Sequence, residues 1–270
     1  MTAVDVTTMR RFRTAYAEQR AAEGRAYTHD ELLALPYIER GPLARQWAVR
    51  SRTFDAFMQR IMTPLIAASP TAPRVIDLGA GNAWLSHRLA NAGCSAIAVD
   101  LRDDDIDGLG AAEGYVALGA AAFGRIVGSF ESIPLADASA DVVVFNASLH
   151  YAMDLAATLR EARRVLRPSG RIVVLDSPFY AQAADGDAMV REKRASAVAR
   201  FGANAGALLA LPCIEYLTAD GLASISAPLG IRFTRHRVRY PLWYETRALR
   251  ARVRRQRVPS RFDMWEGIVA

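Results

Sequence analysis

Lysine is almost missing from this chain: Lys193 is the only one among 34 basic residues. The remaining basic residues are arginine, and with abundant alanine this skew fits the codon usage of a GC-rich genome. Cysteine is scarce too. Cys94 and Cys213 alone exclude a disulfide framework and fit a reducing compartment. Cys94 closes a helix and is expected to be buried and inert. No apolar run approaches the roughly 18 residues that a membrane-spanning helix needs. The first residues, Met1-Thr-Ala-Val-Asp5, lack the charged-then-apolar build of a secretory signal, so a cytoplasmic location is expected. Internal repeats and low-complexity tracts are absent.

What is present is apolar and basic. At 51% hydrophobic residues, the 270-residue chain is not disordered and can bury one substantial core. The net charge is +6, and Arg232 to Arg261 holds eleven arginines against one acid, Glu245. That stretch reads as a solvated positive face, or as a surface for an anionic substrate, a carrier protein or nucleic acid.

The most informative segment is Val75-Ile-Asp-Leu-Gly-Ala-Gly-Asn82. Val75-Ile76 reads as a buried strand, and Asp77 to Gly81 as the turn leaving it. A helix over 83–92 follows, with Gly93 as its stop signal. Gly79 and Gly81 permit positive φ and close approach of a ligand. Nineteen residues after Gly81, the strand Ser95–Val99 ends in Asp100. An acid about 20 residues past such a turn is where a parallel α/β sheet grips ribose hydroxyls. A dinucleotide pattern would place Gly or Ala where Trp84 stands, and Asp77 would repel a pyrophosphate. A cationic, phosphate-free nucleoside suits the turn better, and S-adenosylmethionine (SAM) is such a ligand.

In these residues the chain resembles the class I SAM-dependent methyltransferases of the small-molecule type 11 group. Asp77 to Gly81 resembles the family's first motif and Asp100 its ribose-binding acid. Glu131 to Asp137 and Asp141 to His150 look like the loop and strand after the adenine site. Leu159 to Gly170 and Arg171 to Asp176 are similar to the helix, Pro-Gly turn and fifth strand that follow. The adenine segment reads Gly128-Ser-Phe-Glu131, so Ser129 replaces the usual acid. Ala83 stands where many members carry a further glycine, and is expected to have helical φ.

The resemblance implies a Rossmann-like α/β fold, with a seven-stranded mostly parallel sheet, an antiparallel last strand and an N-terminal helical cap. Strands are expected over 74–78, 95–100, 125–129, 141–147, 170–176, 231–239 and 261–269. Helices are expected over 7–22, 43–68 (kinked or broken at Pro64), 83–92, 108–123, 154–167 and 185–200. A further helix runs from an N-cap at Thr218 to 227, and an arginine-rich one lies in the excursion 241–259. Residues 24–41 read as a loop-rich stretch with Pro36 and Pro42. The expected organisation is a cap over 1–70 and a SAM-binding domain over 71–270, with an insertion at about 179–217 that helps to close the pocket.

Ligands of open α/β sheets lie beyond the carboxyl ends of the strands. Asp77, Gly79, Ala80, Gly81, Asp100, Leu101, Ser129, Phe130 and Asn146 are therefore the expected cofactor contacts. His150, Tyr151 and Asp176 are the catalytic candidates. His150 would be a base because an unshifted histidine titrates near 6.5. Tyr151 would hydrogen-bond the acceptor, and Asp176 would orient His150 or the substrate. No metal is expected. The function implied is methyl transfer from SAM to a small-molecule acceptor at oxygen, nitrogen or activated carbon. Nucleic-acid methylation is disfavoured because Asn146-Ala-Ser-Leu149 cannot form the Pro-Pro turn used for base amino groups. A SAM-binding protein without catalysis is the other alternative.

Overall fold

The computed structural model describes residues 6–116, 121–202 and 205–269. In chain order, α1 (Val6–Ala22), α2 (His29–Ala34), α3 (Ala44–Phe57) and α4 (Thr63–Ala68) precede the sheet. The first half of the sheet alternates β1 (Arg74–Leu78), α5 (Trp84–Asn91), β2 (Ser95–Asp100), α6 (Glu113–Val116) and β3 (Gly124–Val127). Then come β4 (Ala140–Asn146), α7 (Leu155–Val165), β5 (Leu166–Leu175), β6 (Phe179–Tyr180), α8 (Ala183–Phe201) and α9 (Ala205–Leu208). The last elements are β7 (Leu217–Thr218), α10 (Ala219–Ser226), β8 (Ile231–His236), α11 (Leu242–Glu245), α12 (Arg247–Val253) and β9 (Met264–Val269).

Seven strands form one sheet in the order β3-β2-β1-β4-β5-β9-β8. β1 to β5 pair in parallel, and β9 runs antiparallel between β5 and β8. The sheet is buried on both faces, as a parallel sheet with crossover helices must be. On β4 the alternation is direct. Val142 and Val144 pack with α3 and α5, whereas Val143 and Phe145 pack with α7 and α10. All four are fully buried, each contributing roughly 1.5–3 kcal/mol of transfer free energy. Reversal of the strand order between β1 and β4 opens the crevice above their carboxyl ends, which positions the site.

Several local expectations need correction. The loop-rich stretch 24–41 also holds a short helix over 29–34. Thr28 and Glu31 close a capping box that starts α2, a helix too short to show a period. Helical structure continues through Pro64 without a break. The ladder widens to a π-helical turn at Met58–Met62, and Pro64 falls in the first turn of α4, where its missing N–H costs nothing. The expected helix over 108–123 shrinks to a 3-10 turn at Leu109–Ala112 and α6, and its residues 117–120 lie outside the described ones. Gly108 and Gly110 there pack so closely against Asp103–Asp105 that a Cβ would collide.

β5 begins at Leu166, directly after α7, but residues 167–170 bulge out of its ladder, because Ala140 pairs with Leu166 and Val142 with Arg171. β3 stops at Val127, so Ser129 lies beyond the strand. β8 ends at His236, because the Val238 N–H turns to the Asp263 carboxylate. β9 starts only at Met264, because Arg261 bridges to Phe179 instead. The two-residue strands β6 and β7 pair in parallel and fasten together the two ends of the 179–217 excursion.

Candidate active site

The turn after β1 sets the site. Gly79, Gly81 and Ala83 have φ of 73°, 54° and 59°, so left-handed residues alternate along it. Ala83 therefore departs from the helical φ expected of it. An alanine there carries strain of about 1–2 kcal/mol, against which its methyl is fully buried. Asn82 completes the turn, its amide donating to Asp107 at 2.9 Å and its oxygen accepting from the Trp84 N–H. Asp100 braces it from β2. One carboxylate oxygen accepts from Gly81 N–H and the other from Arg102 N–H, each at 2.8 Å.

One cavity lies over this turn. Its floor comprises Gly79, Ala80, Gly81, Asn82, Asp100, Leu101, Phe130 and Asn146, with Tyr151 at the side. Eight of the twelve residues proposed from sequence are thus brought together. Asn146 Oδ1 is buried without a partner, so the cavity wall offers an acceptor that only a ligand can satisfy. The other four lie elsewhere. Asp77 is beneath the turn, accepting a hydrogen bond from Ser86 at 3.0 Å, and burial pushes its pKa up to about 7. Ser129 pairs with Ser132 in a small bridge. The His150 ring stands behind Tyr151 at 4.2 Å between centroids, with Nδ1 unpartnered. Burial, aided by Lys193, Arg20 and Arg50, lowers its pKa to about 3. It is thus far from the unshifted titration expected of it. Asp176 faces a neighbouring chamber, at φ 49°, and burial raises its pKa to about 6.

The aromatic part of the far wall, Tyr16 and Trp47, was open to a reading of the sequence, but its arginines were not foreseen. α1 and α3 supply Phe12, Tyr16, Arg20, Trp47 and Arg50, with Arg25 between them, while Leu211 and Cys213 come from the excursion after β5. Tyr16 donates to the Tyr151 hydroxyl at 2.8 Å and receives an Arg20 guanidinium N–H. Burial drives the Tyr16 phenol well up, opposed by Arg20. Arg20 lies 3.5 Å from Asp107 and 3.1 Å from Glu23, and Arg25 lies 3.3 Å from Glu23. Arg50 forms no ion pair among the described residues. Only its place on α3 gave a signal: it shares the apolar face that carries Trp47, Phe54 and Phe57, where a charge is out of pattern. Cys94 is buried at the end of α5, and burial pushes its thiol up to about 11, so it is inert. The described residues hold no cluster of three or more potential metal ligands.

A family model described as a methyltransferase domain matches residues 76–174. A malonyl-acyl-carrier-protein O-methyltransferase from Hahella chejuensis is 34% identical over 143 residues, 50% of each chain. A demethylmenaquinone methyltransferase from Mycolicibacterium vanbaalenii is 33% identical over 123 residues, 45% of this chain and 49% of the other. The chain thus spans about half the length of the curated relatives it matches. In fold it is similar to magnesium protoporphyrin IX methyltransferase from Synechocystis with bound SAH, at TM-score 0.55 and 11% identity, over 93% of this chain and 100% of that one. Residues 76–174, which hold the glycine turn, Asp100 and the strands around the cavity, are thus the part of the chain that matches the methyltransferase-domain family.

Proposed function

We propose that this chain is an enzyme that transfers a methyl group from SAM to a small-molecule acceptor. The observation that carries this reading is the convergence of three features in one cavity. The glycine turn admits a close ligand, Asp100 offers a half-buried carboxylate, and Asn146 has an unpartnered oxygen. A ribose can donate to the remaining lone pairs of Asp100, and an ammonium group to Asn146 Oδ1. Asp100 places a carboxylate at the turn, on the side of the cavity away from the arginines of α1 and α3. When bound, SAM supplies a methyl group on a sulfonium, displaced in line by the acceptor's lone pair while the S–C electron pair returns to sulfur.

The protein's part is to align and to dehydrate. α1 covers the cavity with Phe12 and Tyr16, excluding water. The Tyr151 hydroxyl, held by Tyr16, faces the cavity and orients the acceptor. His150 packs behind it as a neutral ring and fixes its direction. Residues 1–70 act as the cap, and 71–270 as the SAM-binding domain with its insertion. Two free cysteines suit work in the cytoplasm, and no helix among the described residues is long and apolar enough to cross a membrane.

Calorimetric titration of SAM, its demethylated product SAH and NAD tests the reading. Micromolar binding of SAM or SAH without an NAD signal is the expected result. Binding of NAD alone, or of none of the three, would overturn it.

A further inference from the structure

Beside the cavity lies a second chamber between α3 and the α11–α12 segment. Arg45, Arg50, Val49, Asp176, Trp243, Tyr244, Arg247 and Phe262 line it. Arg50 also lines the main cavity, so this one residue borders both spaces. Three arginines here face a single acid. The aromatic rings already work as cation platforms: the Arg247 guanidinium carbon lies 3.7 Å from the Tyr244 centroid, and that of Arg45 lies 5.8 Å from Trp243. Arg247 keeps a buried Nε without a partner, and Asp176, itself only 6% exposed, keeps an unpartnered Oδ1. A chamber with free guanidinium donors, flat apolar walls and an orphan carboxylate oxygen has the complement of an aromatic acid. Arginine matches a carboxylate in plane and by two parallel hydrogen bonds, and the side chains of Trp243 and Phe262 match a ring.

Resting on the assignment of the main cavity to SAM, we propose that this chamber receives the methyl acceptor, a planar aromatic carboxylate held by Arg50 and Arg247. The acceptor's nucleophilic group, the carboxylate itself or a substituent next to it on the ring, then lies on the Arg50 side toward the main cavity, and Asp176 Oδ1 takes a hydrogen bond from any hydroxyl it carries. A carboxylate also occurs at the methionine end of SAM, and the test separates the two sources.

Benzoate and its neutral isostere benzamide are titrated into the SAH-loaded full chain, read by calorimetry and by Trp fluorescence, with Trp243→Phe assigning the optical signal. Benzoate is expected to bind at least tenfold more tightly than benzamide and to change Trp243 emission. Arg50→Gln should abolish the preference, whereas Arg50→Lys should keep part of it; circular dichroism checks that both variants fold. Equal binding of the two probes, or benzoate binding that leaves Trp243 unaffected, overturns the proposal. In a second arm, SAM and 5′-methylthioadenosine, which lacks the amino-acid end, are titrated into wild type and Arg50→Gln. Unchanged SAM affinity supports the acceptor assignment. A loss confined to SAM gives Arg50 to the cofactor's carboxylate and overturns it. Failure of wild type to bind SAM at all would instead defeat the proposed function.

Discussion

The hydroxyl of Tyr16 donates a hydrogen bond to the hydroxyl of Tyr151 at 2.8 Å, joining residues 135 positions apart. This bond fastens α1 to the turn after β4, and so shuts the cavity with a segment that lies outside the sheet. Because Arg20 donates to Tyr16 in turn, removing either hydroxyl strands a buried donor. Tyr16→Phe and Tyr151→Phe should each lower Tm by roughly 2–10 °C, the cost of one unsatisfied buried group in a chain of this size. The double variant should lose less than the sum. A thermal-denaturation cycle that is strictly additive would show the two hydroxyls to be independent.

Gly79 is fixed by its neighbour as well as by its φ of 73°. A Cβ there would overlap Ser148 Cβ and stand 3.0 Å from the Phe130 ring. Gly79→Ala is expected to reduce SAM affinity at least tenfold, about 1.4 kcal/mol or more. Adding Ser148→Gly should recover part of it, since it relieves the overlap and leaves the φ. Calorimetry on both variants decides; undiminished affinity in Gly79→Ala would mean that the turn does not approach the cofactor.

Asp100 both braces the turn and faces the cavity, so its substitutions separate two roles. Asp100→Asn keeps an acceptor oxygen and loses the charge; Asp100→Ala loses both. SAM affinity should fall in the order wild type, Asn, Ala, with Ala at least tenfold below wild type. Equal titration curves for all three would remove Asp100 from the ligand.

The buried carboxyl of Asp77 gives a pH dependence with a definite sign. Its folded pKa, raised by burial to about 7, exceeds that of the unfolded chain, near 4. The stability it confers when protonated is therefore present below about pH 4 and lost as pH rises through about 7. Asp176, raised to about 6, has the same sign. Tm should fall between pH 5 and pH 8, and the fall should be shallower in Asp77→Asn. Parallel curves for the two proteins would show that Asp77 is not the titrating group.

His150, with its pKa lowered to about 3, stays neutral through the working pH range. His150→Phe should therefore keep the shape of the pH–rate profile while lowering its height. Loss of the acid limb in the variant would restore His150 as the base.

The sheet was readable because every central strand is an apolar run between turn residues, and the alternation of strand with helix leaves little choice of topology. Asp77 to Gly81 and Asp100 were readable because backbone φ and ribose chemistry each demand particular residue types. α2 and the strands β6 and β7 were not, since two to six residues carry no period. The π-helical turn before Pro64 was hidden because a proline looks the same whether it ends a ladder or sits where the ladder has already shifted. The arginine wall was hidden for another reason. Arg20, Arg25, Arg50 and Arg102 are brought together by folding, and the first two and Arg102 pair with Asp107 and Glu23, whose neighbours in sequence say nothing of it. His150 was misplaced because its position after β4 fixes its height in the fold, but not which way its ring turns.

The order of strands has a consequence for self-association. With β9 inserted between β5 and β8, the sheet ends in β8 on one side and in the four-residue β3 on the other. Arg235 pairs with Asp263 and Arg125 on β3 with Glu113, whereas β8 displays Arg232 to solvent, with Arg237 and Arg239 just beyond it. An incoming strand from a second chain would have to align its backbone beside these repelling guanidinium groups. A parallel sheet assembles slowly from distant segments and exposes its edges meanwhile. The basic excess on β8 is thus placed where it keeps one nascent molecule from being extended by another.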